Sequence, residues 1–140
     1  MSKEFINPDT LPNWEHSFSQ IVIVSSEKSK TIYLSGQVSV DEHQQLIGEG
    51  DLKAQALRTF QNLATALTAA GAEPADVVKL NIYVKDYKPE DAAPVGVALR
   101  KHFPHKNLPA STWLGVQSLA KEGFLIEVDA IAVIELTPNS

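Results

Sequence analysis

Phe124-Leu-Ile-Glu-Val-Asp-Ala-Ile-Ala-Val-Ile-Glu135 is the stretch that decides the fold of this 140-residue chain. Along an extended strand, successive side chains point to opposite faces. Phe124, Ile126, Val128, Ala130, Ala132 and Ile134 make one wholly apolar set, suited to lie under helices. Leu125, Glu127, Asp129, Ile131, Val133 and Glu135 make a mixed set on the opposite face. Acids are depleted from strands. Glu127 and Asp129 therefore have two readings: a solvated strand face or partners for Lys79 or Lys85 on the one hand, or carboxylates that an interface partly buries on the other. Burial would raise their pKa values and suit them to acid–base work near neutral pH.

Working back along the chain, residues 77–85 alternate, with Val78, Leu80, Ile82 and Val84 facing one way and Val77, Lys79, Asn81, Tyr83 and Lys85 the other. Ser17–Val24 is rich in β-branched residues and Thr31–Gly36 alternates Thr, Ile, Tyr, Leu and Ser, on either side of the polar turn Glu27–Lys30, which predicts a hairpin. Ala110–Leu119 and Phe124–Leu136 read as a final strand pair joined around Lys121-Glu-Gly123. Leu52, Ala56, Phe60, Leu63 and Leu67 form one apolar stripe, a helix over Asp51–Ala70 with Asp51 as N-cap and Gly71 as stop. A second helix spans Pro89–Phe103, and Pro94 requires its regular part to start near Ala92 or Ala93. Residues 1–15 read as an irregular arm and 137–140 as a frayed tail. The order is β-β-α-β-α-β-β, an α+β fold with a mixed sheet and both helices on one face. The other face would be bare in a monomer and carries apolar residues, which predicts an oligomer.

Composition narrows the chemistry. A chain of 140 residues makes one domain, 1–140, able to bury its own core. Without cysteine there is no disulfide framework, thiolate metal site or thiol nucleophile. A net charge of −5 and only two arginines, Arg58 and Arg100, argue against nucleic-acid binding. No apolar run reaches the ~18 residues of a membrane span. The opening MSKEFINPD is too polar for a secretory signal, so a cytoplasmic protein is expected.

No metal ligand set is apparent: His102 and His105 are three apart, but Pro104 between them breaks helical geometry. No phosphate-binding glycine loop or nucleophile elbow is present. Ser35-Gly36-Gln37 ends a strand and either presents backbone N–H groups to a ligand or simply allows a bulge. Trp14, Phe18, Tyr83, Tyr87 and Trp113 stand nearest the candidate interface, where subunit packing is the plainer role.

These residues carry a resemblance. Leu108-Pro-Ala-Ser-Thr112 followed by Leu125-Ile-Glu-Val-Asp-Ala-Ile-Ala-Val133, together with Leu34-Ser-Gly-Gln-Val38, Ala69-Ala-Gly71 and Val78-Lys-Leu-Asn-Ile-Tyr-Val-Lys-Asp86, resemble the RidA/YjgF/YER057c (Rid) family nearly end to end. The resemblance implies a chorismate-mutase-like fold and a homotrimer whose sheets form a central barrel, with small-molecule clefts between subunits. It implies hydrolysis of reactive imines and enamines to a 2-oxo acid and ammonia, without a cofactor. Glu127 falls on the family's water-activating glutamate, and Ser35 and Gly36 on the strand end that lines the cleft. Phe18 stands where active members often carry a tyrosine. Ser111 stands where they carry the arginine that grips the substrate carboxylate, Thr112 replaces the following serine, and Trp113 replaces a smaller residue. The chain thus resembles an arginine-less branch. Two functions remain open on sequence: an imine or enamine hydrolase, with 2-imino acids in doubt, or a non-catalytic trimer that binds a small metabolite.

Overall fold

The computed structural model describes residues 1–104 and 106–137. His105 and the last three residues lie outside them, so the His102–His105 spacing, already set aside as a ligand pair because of Pro104, and most of the expected frayed tail do too. Six strands form one mixed sheet: β1 (Ser2–Ile6), β2 (Ile21–Ser25), β3 (Ser29–Gln37), β4 (Val77–Lys85), β5 (Ala110–Val116) and β6 (Ile126–Glu135). Two helices, α1 (Leu52–Ala69) and α2 (Ala92–His102), cover one face. Their order in the sheet is β1-β2-β3-β6-β4-β5.

β6 sits at the centre, antiparallel to both β3 and β4. β3 and β4 therefore run the same way on either side of it. The α1 crossover sets them apart by one strand width, and β6 fills the gap. Ile126, Val128, Ala130 and Ala132 are buried beneath the helices, as their alternation predicts. Phe60, Leu63 and Leu67 of α1 meet them with no more than 1% of their surface exposed. Each such side chain contributes about 1.5–3 kcal/mol by leaving water. Asp51 caps α1, its Oδ1 accepting from the Ala54 amide at 3.1 Å. Gly71, at φ 79°, closes the helix in the left-handed region. A 3₁₀ turn over Pro89–Asp91 leads into α2, which starts at Ala92 and keeps Pro94 in its first turn.

Four expectations change. The arm is not irregular throughout, because Ser2–Ile6 pairs antiparallel with β2 as an edge strand. Its residues are exposed up to Ile6, so backbone pairing rather than side-chain burial makes it a strand, and hydrophobic patterning is blind to that. The first predicted strand begins later, at Ile21, because Ser17 and Phe18 turn back to donate to the Trp14 carbonyl at 2.8 and 3.0 Å. The last two strands form no hairpin: β5 pairs in parallel with β4, through α2, and never with β6. Lastly, a register shift between Val77 and Lys79 turns Val77 inward and Val78 outward.

Candidate functional site

Glu127 and Asp129 both point to the helix-free face, yet they end in different surroundings. Asp129 stands opposite Asn81 on β4 and accepts from its side-chain amide at 2.8 Å. Glu127 stands opposite Tyr83. Neither uses Lys79, whose ammonium donates to Thr112 Oγ1 at 2.7 Å. Among the described residues, no side chain donates to the Glu127 carboxylate. Burial, then the negative charge of Asp129, raises the Glu127 pKa above the ordinary carboxylate range. Burial likewise raises the Tyr83 phenol, followed by the nearby Asp129 carboxylate.

The strand end at Ser35-Gly36 makes room for Glu127. Leu34 pairs with Ala130 and Gln37 with Val128, so Ser35 and Gly36 together oppose Asp129 alone, a β-bulge. A Cβ on Gly36 would fall on Glu127 Oε2 and come within 2.7 Å of its carboxyl carbon. The bulge allowed by the sequence is present, and the missing side chain at Gly36 also vacates the space the carboxylate occupies.

A cavity of about 400 Å³ opens there, lined by Trp14, Phe18, Ser35, Gly36, Val38, Ala120, Lys121, Phe124 and Glu127. Buried amides hold its walls. Gln37 donates to Gln20 Oε1 at 2.7 Å, and Gln20 donates to the Pro12 carbonyl at 3.0 Å, which ties the Trp14–Phe18 segment to the end of β3. Ser35 Oγ donates to the Ser19 carbonyl at 2.5 Å. Opposite, Gln55 of α1 donates to the Gly123 carbonyl at 2.9 Å and accepts from the Leu125 amide at 2.9 Å, strapping down the turn that carries Lys121. Asn62 donates to the Val38 and Val40 carbonyls at 2.8 and 2.9 Å. An unpaired carboxylate with a raised pKa, in a mostly apolar cavity, can take a proton from water beside a small bound molecule.

Of the sequence candidates, the cavity gathers Phe18, Ser35, Gly36 and Glu127. Ser111, Thr112 and Trp113 are not in it. They sit on β5, the outer edge of the sheet, and alternate across it. Trp113 lies opposite buried Ile82 and packs edge-on against Tyr87, with ring centroids 6.0 Å apart. Ser111 lies opposite buried Leu80 on that same helix side, and only Thr112 faces with Asn81 towards the open face. Both arginines are on helices, Arg58 on α1 and Arg100 on α2.

Sequence reasoning missed Val38, Ala120, Lys121 and Phe124 as cavity residues, and Trp14 as one of its rings. Lys121 lies far along the chain from Trp14, in a polar turn with no periodic signal. The buried amides Gln55 and Asn62 had a weak one, since each precedes a member of the apolar α1 stripe. Among the described residues, no group of His, Asp and Glu side chains is placed to hold a metal ion, and no helix is long and apolar enough to cross a membrane.

The sequence profile of the family described as Endoribonuclease L-PSP matches residues 10–134. The chain belongs to this family, the RidA/YjgF or Rid family. A 2-iminobutanoate/2-iminopropanoate deaminase of Dermatophagoides farinae is 30% identical over 133 residues, covering 95% of this chain and 98% of its own. A rat protein of the same name is 32% identical over 131 residues, covering 94% and 90%. The crystal structure of RidA from the Antarctic bacterium Psychrobacter sp. PAMC 21119 superposes with a TM-score of 0.80 at 30% identity, covering 94% of this chain and 99% of that one. The mixed α+β sheet with its two helices is thus the Rid fold.

Proposed function

We propose that this Rid protein hydrolyses reactive imines and enamines, acting as a homotrimer whose clefts lie between copies, with Glu127 as the base. The observation that carries this is the Glu127 carboxylate, unpaired, raised in pKa and seated over Gly36 in the cavity. The names of the full-length deaminase relatives support the substrate class. Water adds to the carbon of a protonated imine as Glu127 takes one of its protons. The carbinolamine nitrogen then receives that proton, the C–N bond breaks, and the carbonyl product and ammonium leave. No cofactor is needed, because the protonated imine carbon is already electrophilic.

The open face supports the trimer. Tyr33, opposite Ile131, and Leu114, opposite Tyr83, are both nearly half exposed there. A second copy would cover that apolar surface and could bring Ser111, Thr112 and Trp113 of its β5 edge to the cavity as substrate-binding residues.

One observation favours a metabolite-binding protein without turnover. Phe18 presents no hydroxyl, and its ring stacks on Trp14 at 6.3 Å, so this cavity wall is apolar. A cleavage site for RNA is less favoured, since among the described residues Lys121 is the single basic one lining the cavity.

The deciding experiment supplies 2-imino acids from an amino-acid dehydratase and follows ammonia and 2-oxo acid release. The wild type should exceed the background rate, and Glu127→Gln should lose about 10²–10⁴-fold, the usual contribution of a general base. Wild-type turnover equal to background, with a metabolite raising the melting temperature, would replace the hydrolase with the binding protein.

A further inference from the structure

We propose that Lys121 is the residue of this cavity that holds a ligand's carboxylate, the rest of the ligand being apolar. The choice of a 2-oxo acid as probe rests on the hydrolase proposed above; the anion site itself stands on the geometry. Lys121 lines the cavity that holds Glu127, Ser35 and Gly36. Its Nζ lies 4.6 Å from the centroid of the Trp14 ring, which is stacked in turn on Phe18 with an interplanar angle of 25°. The face of an indole attracts a cation without neutralising it. Among the described residues, no carboxylate comes within 4.0 Å of Nζ; the single ion pair there joins Glu42 and His43.

The ammonium is therefore steered to the cavity with its charge unspent. A carboxylate partner would have consumed that charge, whereas an aromatic one parks it. The turn that carries Lys121 is pinned through Gln55 to α1, so the backbone beneath the lysine is fixed while the side chain can move. Val38, Phe124, Phe18 and Trp14 supply apolar wall for the rest of the ligand. A 2-oxo acid with its carboxylate on Lys121 would direct its electrophilic carbon further into the cavity, towards Glu127. Lysine offers a point charge rather than a guanidinium fork, so selectivity should rest on charge more than on planar geometry.

Because Trp14 is the ring under the ammonium, its fluorescence reports directly on the site. The test titrates 2-oxobutanoate and its uncharged methyl ester into wild type, Lys121→Met and Lys121→Arg, reading tryptophan emission. The wild type should bind the acid roughly tenfold more tightly than the ester, the lower end for a charge-assisted hydrogen bond at an exposed group. Lys121→Met should abolish that preference, while Lys121→Arg should keep it. A preference that survives Lys121→Met, or a wild type that does not distinguish acid from ester, overturns the proposal. Neither outcome depends on turnover. A wild type that prefers the acid but releases no ammonia from any imine retains the Lys121 site and removes the hydrolase.

Discussion

The centre and the edge of this sheet carry the two halves of the inferred site, and they differ in what one chain can complete. β6 is paired on both sides, so its alternation is locked: apolar residues lie under the helices and Glu127 and Asp129 on the open face. β5 is paired on one side only, and its Ser111, Thr112 and Trp113 divide between the two faces. At the centre, one chain already supplies a shaped carboxylate site with amide-braced walls. At the edge, the same chain supplies side chains that lie outside that cavity. In the proposed trimer, the central strand states its chemistry within the monomer, whereas the edge strand states it only against another copy.

The largest effect should come from disturbing the centre. In Gly36→Ala, the new Cβ would take the place of Glu127 Oε2. That atom is the end of a flexible side chain, so the carboxylate can swing away and the fold survives. Activity should fall about 100-fold, the scale of a misplacement near 1 Å, while the melting temperature stays within a few degrees of wild type. Imine hydrolysis at the full wild-type rate would show that the carboxylate's place over Gly36 has no part in the chemistry.

A smaller gain should come from the edge. Ser111→Arg returns a guanidinium to the β5 position where active relatives are expected to carry one. If that edge reaches a neighbouring copy's cavity, the second cation should lower KM for 2-imino acids by about tenfold, as a charge-assisted bidentate contact allows. Uncharged imines should not respond. An unchanged KM would mean that the cavity is completed by its own chain, with Lys121 as its cation, and the division between centre and edge would lose its functional meaning.

Legibility in the sequence followed the same division. The β6 alternation, the α1 stripe and the Asp51 and Gly71 ends were readable because each is fixed by local burial or local backbone geometry. The pairing of β5 was not, since strand neighbours are chosen by the α1 and α2 crossovers rather than by adjacency in sequence. β1 was hidden because backbone hydrogen bonds hold it while its side chains stay in water. Glu127 was visible as an acid in a strand, but its separation from Asp129 depends on Asn81 across β4. Lys121 gave no local sign, because its role depends on a ring contributed from the opposite end of the chain.

The smallest effect separates the two acids thermodynamically. A carboxyl group whose pKa is higher in the folded than in the unfolded chain binds more protons when folded between those two values. Stability contributed by protonated Glu127 is therefore complete below the unfolded pKa and is lost as pH rises through the folded one. Glu127→Gln mimics the neutral form, so above that window it should be more stable than wild type, by roughly 1–3 °C in melting temperature for a chain of this length. Below the window the two should melt together. Asp129→Asn removes one of the two causes of the shift, so Glu127→Gln made in that background should gain less. Burial would remain as the larger cause, and the gain should shrink without vanishing. A gain of equal size at every pH would instead mean that the carboxylate is destabilising for reasons of shape, and that the raised pKa has no part in the difference between Glu127 and Asp129.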